Sequence, residues 1–139
     1  SFSDALDVDF SNVSFNKIKI SNAINDCVDF SYGDYILKNL ELKNCGDKGL
    51  SIGEKSKVDL ENINIQIANI GVATKDSSVL NLKDASISDS NTCISAYKKK
   101  QEFMGGYIEI DELNCLKSKT KTSFDEFSKI YFKKDKFIN

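Results

Sequence analysis

The side chains best equipped for chemistry are acids near the start of the chain. Asp4-x-x-Asp7-x-Asp9 recurs 22 residues later as Asp26-x-x-Asp29, with Ser31 in place of the third acid. Carboxylates gathered in this way can hold a hard cation such as calcium, which takes several oxygens at once, and Asp4, Asp7, Asp26 and Asp29 are the candidate ligands. They can instead serve as the proton donor and base of sugar chemistry, with Asp7, Asp29 and Lys48 as the candidate catalytic groups. In a third reading, Lys48 and Lys75 continue the same columns of residues and neutralise the acids.

Composition closes most other routes. The 139 residues include no His, so Ser-His and Cys-His pairs and His-containing zinc sites are excluded within the chain. All 19 positive charges are Lys, and the two-pronged grip of Arg on carboxylate or phosphate is missing. A net charge of −2 gives no electrostatic reason to expect nucleic acid. The apolar runs are far shorter than the ~20 residues of a membrane-spanning helix. Charge is nevertheless uneven. Residues 1–34 carry six Asp against two Lys, and residues 117–139 carry seven Lys against three acids.

The elements that must position the acids follow from a repeat. Leu6, Val28, Leu50, Val72 and Ile94 are each 22 residues apart, and Val8, Phe30, Ile52, Thr74 and Ala96 keep step two residues on. Each unit contains three apolar bursts alternating with period two, the mark of strands with one buried face. Examples are Leu50-Ser51-Ile52, Val58-Asp59-Leu60 and Ile63-Asn64-Ile65. Polar pairs such as Glu61-Asn62 separate the second burst from the third. Three short strands per unit and no room for a crossover helix predict a coil whose laps stack as parallel sheets about 4.8 Å apart. The expected fold is all-β: a parallel β-helix of about five 22-residue turns over residues 1–116. On that stack Asp7 and Asp29 become outward-facing neighbours, and like charges so close raise one another's pKa.

The remaining features lie at corners and ends. Residues 117–139 read as a C-terminal cap. Within it Ser123-Phe124-Asp125-Glu126 has the form of a capping box, and Phe124, Phe127, Ile130 and Tyr131 follow at helical spacing, predicting a short helix over about 123–132. A strand through Ile130-Tyr131-Phe132 is the alternative. The N-terminal end has no such cover, so an upstream segment or a partner chain is expected there. An insertion, Tyr97 to Gly106, projects from the corner after the first strand. Long loops on a rigid scaffold are where binding concentrates. Cys27 and Cys93 stand three laps apart, too far to bridge, and Cys27, Cys45, Cys93 and Cys115 all read as free thiols in core or corner positions.

Through segments such as NCGDKGLSIGEKSKVDLENINI and NIGVATKDSSVLNLKDASISDS, residues 4–116 resemble the right-handed β-helix repeats of the pectate-lyase-like superfamily. The resemblance implies a right-handed coil, an extracellular or cell-surface setting on bacteria or phage, and a carbohydrate groove along the first-strand face. It puts Asp47, Glu54 and Lys75 forward as substrate-binding positions, to which the basic, aromatic insertion adds Tyr97, Lys98 and Phe103. The function expected is a non-catalytic glycan-binding or scaffold module. The alternative is a fragment of a polysaccharide lyase, hydrolase or epimerase acting through carboxylates on that face.

Overall fold

Each lap of 22 or so residues returns the chain to a position directly beneath its own start, because alternating apolar side chains can be buried only against the like pattern of the next lap. A computed structural model describes residues 4–134 and shows ten strands, every pairing parallel. The strands are β1 (Leu6–Asp9), β2 (Asn12–Ala23), β3 (Val28–Ser31), β4 (Asp34–Cys45), β5 (Lys48–Gly53), β6 (Lys57–Lys75), β7 (Val79–Tyr97), β8 (Tyr107–Leu116), β9 (Thr120–Phe124) and β10 (Lys129–Phe132). They form a β-solenoid of about six turns. The register reproduces the sequence columns: Leu6 lies over Val28, Val28 over Leu50, Leu50 over Val72 and Val72 over Ile94.

The inward columns make one apolar core, in which Phe30, Tyr35, Leu37, Leu50, Ile52, Ile65 and Ile87 are all essentially buried. Phe30 stacks on Tyr35 with ring centroids 4.3 Å apart. The buried Tyr35 hydroxyl donates to the carbonyls of Ser31 (2.8 Å) or Val8 (3.1 Å), so the core carries a phenol without leaving it unsatisfied.

Two corners per lap turn through left-handed backbone. One uses Asn22, Asn44, Ile67, Asp89 and Lys117 on successive laps (φ 51–68°), and in its first two laps the Asn44 amide donates to the Asn22 side-chain oxygen at 2.8 Å. Asn tolerates this conformation better than other non-glycine residues. The other corner uses Phe10 and Tyr32, and from the third lap onward it takes two such residues, Glu54-Lys55 and then Asp76-Ser77. That extra residue sets Leu42 opposite Ile65, 23 positions on, and a corner one residue shorter before Ile70 restores the 22-residue step between Leu50 and Val72.

Two expectations are corrected. No helix forms over 123–132; β9 and β10 instead add a sixth lap beneath β7 and β8. The open backbone edges of β7 and β8 offer this segment ladder hydrogen bonds that a helix would leave unmade. Asp125, read as part of a capping box, accepts instead from the Lys98 backbone N–H (2.8 Å), from the Phe127 N–H (3.1 Å) and from the Ser128 hydroxyl (2.7 Å). With this lap the coil has about six turns, close to the expected five. The cysteines are not free: Cys27 bonds Cys45 and Cys93 bonds Cys115, with Cα separations of 5.4 and 6.1 Å. The residue preceding the first strand turns inward at the corner toward the third side of the coil, as Gly49 and Gly71 do where they meet Ile65 and Ile87.

Candidate functional site

The acids sit where the repeat places them. Asp7 pairs with Asp29 in register, and carboxylate oxygens of Asp4, Asp7 and Asp29 lie within 4.8 Å of one another. Asp4 and Asp26 also act as staples between laps. The Asp26 N–H donates to the Asp4 carboxylate, and the Lys48 N–H donates to the Asp26 carboxylate, each at 3.0 Å. Burial pushes the Asp29 carboxyl up to about 7, helped by a hydrogen bond shared with Asp4 and by the charges of Asp4 and Asp26, against the pull of Lys75. Asp7 is raised by partial burial and by the charges of Asp9 and Asp4. Burial raises Asp26 as well, opposed by its bond and attraction to Lys48. Three carboxylates this close either share a proton or take a hard cation.

The two lysines behave differently. Lys48 Nζ lies 2.9 Å from Asp47 and 4.0 Å from Asp26, so it neutralises that corner. Burial works against its charge, but the bond to Asp47 and the nearby acids hold it above the ordinary Lys value. Among the described residues Lys75 makes no ion pair within 4 Å; its amine donates to the Ser51 hydroxyl at 2.7 Å. Burial lowers the Lys75 amine, with the Asp29 charge opposing. Ser51 lies beneath it, and Ala73 and Ser95, the next residues of that outward column, are likewise buried. Tyr97 stands beside Lys75 in register, its phenol raised chiefly by burial. The middle of the first-strand face is thus closed over by these side chains, and its open part is the acidic N-terminal end.

The expected binding residues divide. At the corner after the first strand Glu54 pairs with Lys100, and the Lys55 amine lies 5.9 Å from the Phe103 ring centre. Lys98 points elsewhere, its amine 4.5 Å from the Phe127 ring centre. The insertion is anchored by buried Asp76, whose carboxylate accepts from the N–H groups of Lys99 (2.8 Å) and Lys100 (2.9 Å). Gly106 ends it; a Cβ there would stand 1.9 Å from the Thr74 carbonyl oxygen.

This anchoring brings Phe103 edge-on to Tyr32, centroids 6.4 Å apart, and Tyr32 in turn stacks on Phe10 at 4.6 Å with planes 5° from parallel. Phe10 is 76% exposed. Sequence reasoning passed over Phe10, although it follows Asp9 as Tyr32 follows Ser31, at the 22-residue interval of the repeat. An aromatic ladder therefore rises directly beside the outward acids Asp7 and Asp9. A second surface, a polar groove of about 780 Å³, runs along the third strands between Asn39, Asn62, Asp84 and Glu112 on one wall and Glu41, Asn64 and Asn114 on the other.

If Asp29 holds its proton in the folded protein, stability depends on pH in a defined direction. Its carboxyl titrates near 3.8 when unfolded and near 7 when folded, so the folded state binds more protons in between. Stability is then greatest below about pH 4 as far as this group is concerned, falls as pH rises through 7, and levels off above. Asp29→Asn should flatten that slope and raise the thermal midpoint at pH 8, read by circular dichroism melts in chelator-treated buffer. An unchanged slope in the variant would remove Asp29 as its source.

No helix among the described residues is long and apolar enough to cross a membrane. No protein family, curated protein or solved structure matches this chain.

Proposed function

We propose that this β-solenoid is a glycan-binding module of an exported or surface protein, with its site at the N-terminal end of the first-strand face. The observation that carries the reading is the Phe10–Tyr32–Phe103 ladder. Phe10 and Tyr32 occupy left-handed backbone (φ 51° and 49°), which costs a bulky residue of order 1–3 kcal/mol. The other corner takes Asn22, Asn44, Ile67, Asp89 and Lys117 in the same conformation, so the geometry by itself does not call for stacked rings. Large rings kept there and left partly in solvent suit the apolar face of a sugar, while Asp7, Asp9 and Ser31 beside them can accept or donate to its hydroxyls. The acids also select. Uronate chains would meet like charge, so neutral or amino sugars are the favoured class. Two disulfides fit an oxidising compartment, which supports export.

Calorimetric titration with soluble cello-, xylo- and chito-oligosaccharides and with oligogalacturonate tests this. Binding of a neutral or amino-sugar ligand is expected, weakened about tenfold or more by Phe10→Ala with Tyr32→Ala, or ~1.4 kcal/mol. Folding should be little affected, because Phe10 is mostly exposed. Binding that the double variant leaves intact, or no binding to any glycan, would leave a scaffold role.

One observation favours a catalytic reading. A carboxyl titrating near 7 beside two further carboxylates is what a general acid requires. Reducing-end release from a bound glycan, abolished by Asp29→Asn with binding retained, would establish it.

A further inference from the structure

We infer that the solenoid associates head to tail, the N-terminal lap of one copy stacking on the C-terminal lap of the next. The inference stands apart from the glycan reading, since it concerns the two end faces and not the side of the rod. At the N-terminal end β1 pairs only with β3, and β2 only with β4. Their outer backbone edges have no strand partner among the described residues. The inward side chains of that lap, Leu6, Val8, Val13, Phe15, Ile18 and Ile20, are only partly buried. One lap below, Val28, Phe30, Tyr35, Leu37, Leu40 and Leu42 are 0–2% exposed. The first lap is thus half of a core layer.

The C-terminal end repeats the situation from the other side. Among the described residues strands β9 and β10 pair only with β7 and β8, and Ile130 and Phe132 are only partly buried. The columns also match. Val13, Tyr35, Val58, Leu80, Ile108 and Ile130 form one inward series, and Phe15, Leu37, Leu60, Leu82, Ile110 and Phe132 form another. Continuing the stack at the same ~4.8 Å spacing would set Val13 of one copy beneath Ile130 of its neighbour and Phe15 beneath Phe132.

Charge decides which ends meet. Residues 4–34 hold six Asp against Lys17 and Lys19, whereas residues 117–134 hold six Lys against Asp125 and Glu126. Two acidic ends, or two basic ends, would repel; an acidic end on a basic one is attracted. Two contacts in the continued register are like-charged, Lys17 with Lys134 and Asp9 with Asp125. Lys134 is already paired with Glu112, and Asp125 already accepts three hydrogen bonds, so both are locally compensated. A head-to-tail contact does not close on itself and therefore builds linear oligomers rather than a dimer.

The test is sedimentation velocity with light scattering on the whole chain, from micromolar to millimolar, at low salt and in 0.5 M salt. The mean mass should climb with concentration past two copies at low salt and fall in high salt, where exposed charges are screened. Asp7→Lys with Asp9→Lys and Asp34→Lys makes both ends basic, and Lys119→Glu with Lys121→Glu and Lys129→Glu makes both ends acidic; all six side chains are exposed. Each triple variant alone should remain at one copy, with an unchanged circular dichroism spectrum, and an equimolar mixture should associate again. A single-copy mass throughout, a plateau at two copies, or failure of the mixture to associate would overturn the inference.

Discussion

Phe30→Ala should destabilise the protein by about 3–5 kcal/mol, while Phe15→Ala, the same change in the same sense one lap nearer the end, should cost about half as much. Both rings point inward, and they approach each other at 6.3 Å. Phe30 is fully buried and lies against Tyr35 at 4.3 Å, so its removal leaves a cavity enclosed on every side. Phe15 belongs to the outermost lap and is only partly buried, so water already reaches it and the void is smaller. A domain of this size is stable by only about 5–15 kcal/mol, so the Phe30 change removes a large share. Urea unfolding of both variants measures the difference. Equal costs would mean that the first lap is as well covered as the second.

The second large effect is expected from the disulfides. Cys27–Cys45 and Cys93–Cys115 close segments of 18 and 22 residues, and restricting the unfolded chain to that extent stabilises by about 3 kcal/mol for each bridge. Cys27→Ala with Cys45→Ala should therefore lower the thermal midpoint by roughly 10 °C, using a slope of about 3–4 °C per kcal/mol for a chain of this length. Strong reductant should lower the wild-type midpoint further, because both bridges open. Alkylation of the native protein under non-reducing conditions checks the premise: no thiol should react. Four reactive thiols, or a midpoint indifferent to reductant, would show that the bridges do not form in solution.

Much of the scaffold was legible along the chain because two periods are local. Alternation at period two fixes which side chains point inward, and the 22-residue interval fixes which of them stack. Asp7 beside Asp29 and Lys48 continuing the Asp4–Asp26 column both follow from those two numbers. The one-residue slip near Leu42 and Ile65 was equally visible, since only a corner can absorb an extra residue.

What the linear pattern does not carry is the direction in which each corner turns, and the missed features lie there. The Cys27–Cys45 bridge crosses the interior from one side of the coil to another, and the Phe10–Tyr32–Phe103 ladder unites two corner residues with a loop seventy positions away. The segment 123–132 shows a related effect: its spacing suits a helix, yet the unfilled edges of β7 and β8 draw it into strands. Lys75 bonds to Ser51 rather than to an acid, because burial penalises its charge and the hydroxyl is the partner within reach. By itself the sequence determined the columns, because burying alternate side chains is a local requirement satisfied in the same way on every lap. Only the tertiary structure decided the disulfides, the last lap and the aromatic corner, because each depends on where separate parts of the backbone come to lie in space.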